Sequence, residues 1–148
     1  MSATYVPTIS SALSGPLGVL HLPRLWQKVS LESQGKLATG YPGIGGGYDM
    51  MVIDALGLNP DAVRAYITEQ RPTYPQFEAW IKSQPGAKLD AASIEKLNAS
   101  ITGYIHKDDV RSGIFSANGL NDSECPYRDA VNLNNIDDWK EFHAAVLA

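Results

Sequence analysis

Cysteine is nearly absent from this chain of 148 residues, and Cys125 is the only one. A lone cysteine excludes an internal disulfide framework and a metal site built from a cysteine cluster. Basic side chains are also few, with 12 Lys and Arg against 16 Asp and Glu, for a formal charge of −4. The chain therefore lacks the basic footprint of a nucleic-acid-binding protein or of a polybasic membrane anchor.

Long apolar runs are missing as well. The first residues, MSATYVPTISS, contain no basic segment followed by an apolar block. We therefore predict no membrane-spanning helix and no secretory signal. With 44% hydrophobic and 19% charged residues, the composition is that of an ordinary folded protein. These features predict a soluble, cytoplasmic protein that consists of one domain.

Motifs for metal, phosphate and nucleophilic chemistry are absent from the sequence. The three histidines, His21, His106 and His143, form no HxxH, HxH or HExxH pair. No GKS or GKT follows a glycine-rich segment, and no nucleophile elbow occurs. Cys125 has the acidic neighbour Glu124, which does not activate a thiol. We therefore predict neither a metal nor a cofactor.

Signals for helix starts and ends recur along the chain. Pro23 suits a first helical turn, and Gly35 can end that helix. The next segments begin with recognisable capping residues, namely Asn59 before Pro60, Thr73 with Gln76 as a capping box, and Asp90. Apolar residues then repeat at helical spacing.

This pattern predicts a mainly α fold, a compact bundle of about six short helices. The one β signal is RDAVNLNN, which allows at most a short edge strand near residues 129–133. Asn135 is the predicted N-cap of a terminal helix. No linker divides the chain, so residues 1–148 are predicted to form a single domain, with residues 1–14 as a loosely ordered N-terminal arm.

Residues 39–48, TGYPGIGGGY, are the most glycine-dense stretch. A phosphate cradle is one interpretation, but the spacing does not match a dinucleotide fingerprint. We favour a turn that leads into a helix, with Asp49 as N-cap and Gly57 as its end.

Four segments taken together resemble a known family. They are PLGVLHLPRLWQK, GLNPDAVRAYI, FEAWI and DAVNLNNIDDWKEFH, and their most specific parts are Leu22-Pro23-Arg24 with Lys28, and Asp138-Trp139. In order and spacing, from about Leu17 to His143, the chain resembles the bacterial family named domain of unknown function 5069. The resemblance implies a small, mainly helical, stand-alone bacterial protein. It implies no established activity and no catalytic residue.

A set of cationic and aromatic residues could line a binding cleft between the first and last helices. Guanidinium groups can clamp a carboxylate or phosphate while aromatic rings cover an apolar body. The candidate binding residues are Arg24, Lys28, Trp26, Arg128 and Trp139. Simpler interpretations are a solvated edge for Arg24 and Lys28, and core positions for the tryptophans.

Three further residues are candidates for proton transfer at that cleft: His143, Asp129 and Tyr48. His143 follows Trp139 by one helical turn. The simpler interpretation of His143 is a partly buried histidine bonded to a backbone carbonyl.

The sequence therefore predicts a protein that binds a small organic anion, and a cofactor-free enzyme is one form of this function. The alternative is a protein–protein interaction module or accessory subunit without catalysis, such as a homodimer, since three Trp, seven Tyr and three Phe could form an exposed patch. Neither nucleic acid nor membrane is expected as a partner.

Overall fold

The fold is mainly α, as predicted. The computed structural model describes residues 3–148, and the helices and isolated β-bridges within that range form no sheet. The helices are α1 (Leu22–Ser33), α2 (Tyr48–Ala55), α3 (Pro60–Gln70), α4 (Tyr74–Ser83), α5 (Ala91–Thr102), α6 (Asp108–Ala117) and α7 (Ala130–Phe142), and a π-helical segment (His143–Leu147) continues α7. Within this range no helix is long and apolar enough to cross a lipid bilayer.

The chain divides into two compact units. Unit 1 spans Met1–Ile101 and contains α1 to α4 and nearly all of α5. Unit 2 spans Thr102–Ala148 and contains α6, α7 and the π-helical segment. The single domain predicted for residues 1–148 stays a prediction.

Helix α1 is the centre of unit 1, where it contacts α2, α3 and α4. Its apolar side chains Leu22, Leu25 and Val29 are fully buried. They recur at spacings of three and four residues, so they form one stripe along the helix. The neighbouring helices contribute further buried side chains to this core, among them Val52, Ile53, Val63, Ile67, Phe77 and Ile81.

Local capping signals set the ends of several helices, and the sequence predicted them correctly. The Asn59 side chain accepts a hydrogen bond from the backbone N–H of Ala62 at the start of α3. Thr73 and Gln76 form the reciprocal capping box at the start of α4. These contacts satisfy backbone donors that have no partner within the first helical turn.

The N-terminal segment is hydrogen-bonded to the rest of unit 1, whereas the sequence predicts a loosely ordered arm. Tyr5 pairs with the chain around Leu37 in an isolated parallel bridge. The Gln27 side chain of α1 accepts hydrogen bonds from the backbone N–H groups of Thr8 and Ile9. Met1 and Ser2, the first residues of the predicted arm, lie outside the described residues.

Unit 2 corrects two expectations about residues 129–135. The segment near residues 129–133 begins helix α7, and only Asp129 makes a β-bridge, with Ile105. Asp129 is the N-cap, since its carboxylate accepts a hydrogen bond from Asn132 N–H at 3.0 Å. Asn135, the predicted cap, lies inside the helix. A cap six residues upstream of Asn135 therefore overrides the short apolar alternation.

The core of unit 2 contains Phe115, Cys125 and Leu133, with Ile114, Leu120 and Ile136 packed against it. The sequence predicts a polar loop around Cys125. Its side chain is instead buried and has a packing role.

Candidate functional site

Helix α1 presents candidate residues on two different faces. Arg24 and Lys28 lie one turn apart and are buried, with 7% and 6% of their surface exposed. Their interpretation as a solvated edge is therefore wrong. Trp26 lies between them in sequence but on another face, where it is half-buried.

Lys28 belongs to a buried polar cluster that joins three segments of unit 1: the N-terminal segment, α1 with its N-cap, and α2. Its Nζ donates a hydrogen bond to Oδ2 of Asp49 at 2.5 Å. The other carboxylate oxygen, Oδ1, lies 2.6 Å from Nε2 of His21. The second ring nitrogen of His21, Nδ1, lies 2.7 Å from Oγ of Ser11. We call Ser11, His21, Asp49 and Lys28 the polar relay.

The protonation states of the polar relay follow from burial and from neighbouring charge. Burial lowers the pKa of His21 below 6.5, and the charges of Lys28 and Arg24 act in the same direction, against the opposing effect of Asp49. Burial alone would raise the pKa of Asp49, but the hydrogen bond from His21 and the charge of Lys28 bring it below 3.8. Near neutral pH the relay therefore contains a neutral imidazole and an ionised carboxylate.

The glycine-rich loop leads into α2, as predicted, but Asp49 is not its N-cap. Gly47 occupies that position, and Asp49 lies in the first turn with its side chain directed into the polar relay. The backbone N–H of Gly45 donates to Oδ2 of Asp49 at 2.8 Å. A side chain at Gly43 would collide with the carboxylate of Glu32, which accepts a hydrogen bond from Gly43 N–H. The loop therefore lies close to both carboxylates.

Tyr48, predicted as a proton-transfer residue, lies beside the polar relay. Its ring centroid is 5.4 Å from that of His21. Its hydroxyl donates a hydrogen bond to the backbone carbonyl of Ile101 at 2.7 Å. In this conformation the Tyr48 ring covers the imidazole while its O–H is directed at the backbone.

Trp26 lines a groove on the other face of α1. The groove has a volume of about 310 Å³ and contains two hydroxyls, an amide, a guanidinium and apolar surface. Its lining residues are Trp26, Ser30, Ser33, Gln34, Ile67, Arg71 and Pro72. We call it the Trp26 groove.

Two contacts fix the walls of the Trp26 groove. The indole Nε1–H of Trp26 donates to the backbone carbonyl of Pro72 at 3.0 Å, and Tyr74 packs edge-on against the indole with centroids 5.8 Å apart. Arg71 is the C-cap of α3 and adopts a left-handed backbone conformation with φ of 47°. Non-glycine residues rarely adopt this conformation, and here it ends α3, with the Arg71 N–H bonded to the carbonyl of Ile67.

The remaining candidate residues belong to unit 2. Asp129 caps α7, and Nη1 of the exposed Arg128 lies 3.6 Å from a carboxylate oxygen of Asp122. Trp139 is 66% exposed, so it is not a core residue. His143 begins the π-helical segment and is exposed, which makes its interpretation as a partly buried histidine wrong.

The structure brings some predicted residues together and adds others. Lys28 and Tyr48 lie at His21, and Arg24 is close enough for its charge to affect the pKa of that residue. Sequence reasoning missed Ser11 and Arg71. It had considered Asp49 only as a helix cap. The partners in the polar relay are 10, 21 and 28 residues apart in sequence, and no local spacing rule connects them.

Among residues 3–148 no group of three or more His, Cys, Asp or Glu side chains is arranged to hold a metal ion. Comparison of the chain with protein-family models and with curated proteins finds no match. The resemblance to the domain of unknown function 5069 therefore stays a prediction.

Proposed function

We propose that unit 1 binds a small organic anion in the Trp26 groove. The observation that carries this proposal is the presence of a fixed indole, a guanidinium and two hydroxyls around one concave volume of about 310 Å³. That volume is at the lower end of the range for small-molecule sites.

Each wall of the groove has a chemical role in the proposal. The guanidinium of Arg71 pairs with the carboxylate or phosphate of the ligand. The indole of Trp26 covers the apolar body of the ligand, and its hydrogen bond to Pro72 keeps the ring in place. The Ser30 hydroxyl can donate or accept a further hydrogen bond, and Ser33, whose hydroxyl donates to the backbone carbonyl of Ser30, can accept one.

The proposed anion clamp is therefore Arg71, in place of the predicted pair Arg24 and Lys28. Lys28 is engaged with Asp49, and Nη1 of Arg24 donates to the backbone carbonyl of Ile9 at 2.9 Å. Both side chains are buried, whereas Arg71 is exposed at the groove. In the proposal Arg71 takes the role that the sequence analysis gave to Arg24 and Lys28, and Trp26 keeps its predicted role.

Titration of the protein with a panel of short monocarboxylates and phosphate monoesters tests this proposal. The indole N–H resonance of Trp26 reports on the groove in an NMR spectrum. We expect at least one anion to shift that resonance, and Arg71→Gln to weaken its binding at least tenfold because a charged hydrogen bond is lost.

The control is Lys82→Gln, which removes the same charge from an exposed position of unit 1 that does not line the groove. It should leave the affinity unchanged. If no anion of the panel shifts the Trp26 resonance, or if Arg71→Gln and Lys82→Gln weaken binding equally, the proposal is wrong.

We propose self-association of the chain as a second candidate function, because unit 2 exposes large apolar side chains near its C-terminus. Trp139 is 66% exposed, Phe142 46%, Val146 63% and Leu147 65%. Three of them are spaced by three and four residues along the helical segment. Exposed apolar patches of this kind typically mark protein interfaces. A second copy of this chain can cover the patch with an identical one, as in a two-fold symmetric dimer.

Sedimentation of the wild type and two variants tests self-association. We expect a dimer for the wild type and a monomer for Trp139→Gln, because the largest exposed apolar side chain is lost. Tyr127→Gln is the control, since Tyr127 is 51% exposed but lies outside the α7 segment. A wild-type protein that stays monomeric at millimolar concentration would contradict the proposal.

A further inference from the structure

The polar relay has the order of groups found in a nucleophilic serine site. The Ser11 hydroxyl contacts His21 at 2.7 Å, and the opposite nitrogen of His21 contacts Asp49 at 2.6 Å. We propose that Ser11 is a nucleophile for short-chain carboxylic esters, with His21 as its general base and Asp49 as a positioning residue. This activity is independent of anion binding in the Trp26 groove, because the relay residue Lys28 and the groove residue Trp26 lie on different faces of α1.

The partners of Asp49 determine which nitrogen of His21 bears the proton. Asp49 is ionised and therefore accepts from Nε2–H through Oδ1, while Lys28 and Gly45 donate to Oδ2. The neutral imidazole then has no proton on Nδ1. Nδ1 can accept the hydroxyl proton of Ser11, and the ionised carboxylate stabilises the imidazolium that forms.

His21 is held in an unusual backbone conformation, with φ of 71°. Its N–H donates to the backbone carbonyl of Leu13 at 3.1 Å, and α1 begins at the next residue. Non-glycine residues rarely adopt the left-handed region, because it has a conformational cost for them. In this conformation the ring of His21 contacts Ser11 and Asp49 at the same time.

The reaction follows from these positions. As Oγ of Ser11 attacks the carbonyl carbon, its proton passes to Nδ1 of His21, and the C–O bond to the leaving alcohol breaks as Nδ1 returns the proton to that oxygen. Water then attacks the acyl-serine ester, His21 accepts one proton from it, and the carboxylic acid leaves as Oγ regains its proton. No oxidant, reductant or metal is needed.

Arg24 supplies a buried positive charge close to the polar relay. Arg24 donates from Nη1 to the carbonyl of Ile9, two residues before Ser11, and its positive charge is felt at His21. In the proposal its positive charge favours the negative charge that develops on the carbonyl oxygen of the ester. Ser11 is only 3% exposed, but the adjacent Ala12 and Leu13 are exposed. Because Ser11 is so deeply buried, the proposal takes short-chain esters, whose acyl groups need the least space beside it.

Covalent labelling of the full-length protein tests the proposal. The probe is diisopropyl fluorophosphate, and mass spectrometry of the digested protein locates the modified residue. We expect phosphorylation of Ser11, with fluoride as the leaving group. The rate should fall as the pH is lowered and His21 becomes protonated. Ser11→Ala should abolish labelling, whereas the matched control Ser10→Ala should retain it.

His21→Gln and Asp49→Asn separate catalysis from structure. In folded variants, we expect each to slow labelling and hydrolysis of p-nitrophenyl acetate at least a hundredfold. Asp49→Asn should also change the pH dependence of the rate, which a merely structural role would not do. Lys82→Gln, at an exposed position of unit 1 outside both sites, should leave labelling unchanged. Labelling of Ser11 and the shift of the Trp26 indole resonance are separate measurements, so a failure of anion binding is distinguishable from a failure of the relay. Unlabelled Ser11 in the wild type, or esterase activity retained by Ser11→Ala, overturns the proposal.

Discussion

His21 and Asp49 show how burial acts on single side chains. The pKa of His21 lies below its value of 6.5 in an unfolded chain, so the unfolded state binds a proton first as the pH falls. The stability from a neutral His21 is fully present above about pH 6.5 and is lost as the pH falls through the pKa of the folded state. The lowered pKa of Asp49 also makes stability fall as the pH falls, but this contribution is lost only below about pH 3.8.

We therefore expect the free energy of unfolding to decrease between pH 7.5 and pH 5.5. For a single proton the slope approaches about 1.4 kcal/mol per pH unit when the unfolded state alone is protonated. Urea denaturation at several pH values measures this slope. His143→Gln, at an exposed position, should retain it. Stability that is constant or increases on acidification would contradict the assignment of a neutral, buried His21.

At the scale of elements, helix caps were the part of the fold most accessible from the sequence. Asn59 before Pro60 and the Thr73–Gln76 box are local patterns in which donor and acceptor lie three residues apart. The start of α7 was missed because Val131 and Leu133 alternate as in a strand. Asp129, four residues before the end of that pattern, had been considered a proton-transfer residue.

Substitutions in α7 test this corrected boundary. Asp129→Ala should lower the free energy of unfolding by about 1 kcal/mol, because the first turn loses the acceptor for Asn132 N–H. Asn135→Ala should have a smaller effect, since Asn135 lies inside the helix and alanine favours a helix interior. Thermal or urea denaturation of the two variants compares them directly. A larger loss for Asn135→Ala would restore the boundary predicted from the sequence.

At the scale of the whole molecule, the sequence predicted the fold class but only part of the site. Apolar spacing and capping residues are local, and they were enough to identify a mainly α protein. The contacts that form the candidate sites are not local. Trp26 bonds to Pro72 across 46 residues and His21 to Asp49 across 28, and only the packing of α1 against its neighbours brings them together.

The same packing explains why Arg24 and Lys28 were misjudged. A cationic pair at a spacing of four residues usually faces solvent. Here both cations have acceptors inside unit 1, because Lys28 donates to the Asp49 carboxylate and Arg24 donates to the Ile9 carbonyl. The sequence around Lys28 contains no sign of that carboxylate, which comes from the start of α2, 21 residues later.

The polar relay should restrict which substitutions its residues accept during evolution. Removing one partner of a buried charge pair costs about 3–5 kcal/mol, whereas replacing both by apolar residues can be neutral. Replacement of Lys28 and Asp49 by an apolar pair therefore passes through a sequence that has lost only one of the two charges, and that sequence folds less stably. A lineage that loses one of them is expected either to lose the other as well or to regain the first. In related sequences these two positions should change together, and His21 with Asp49 should show the same correlated replacement.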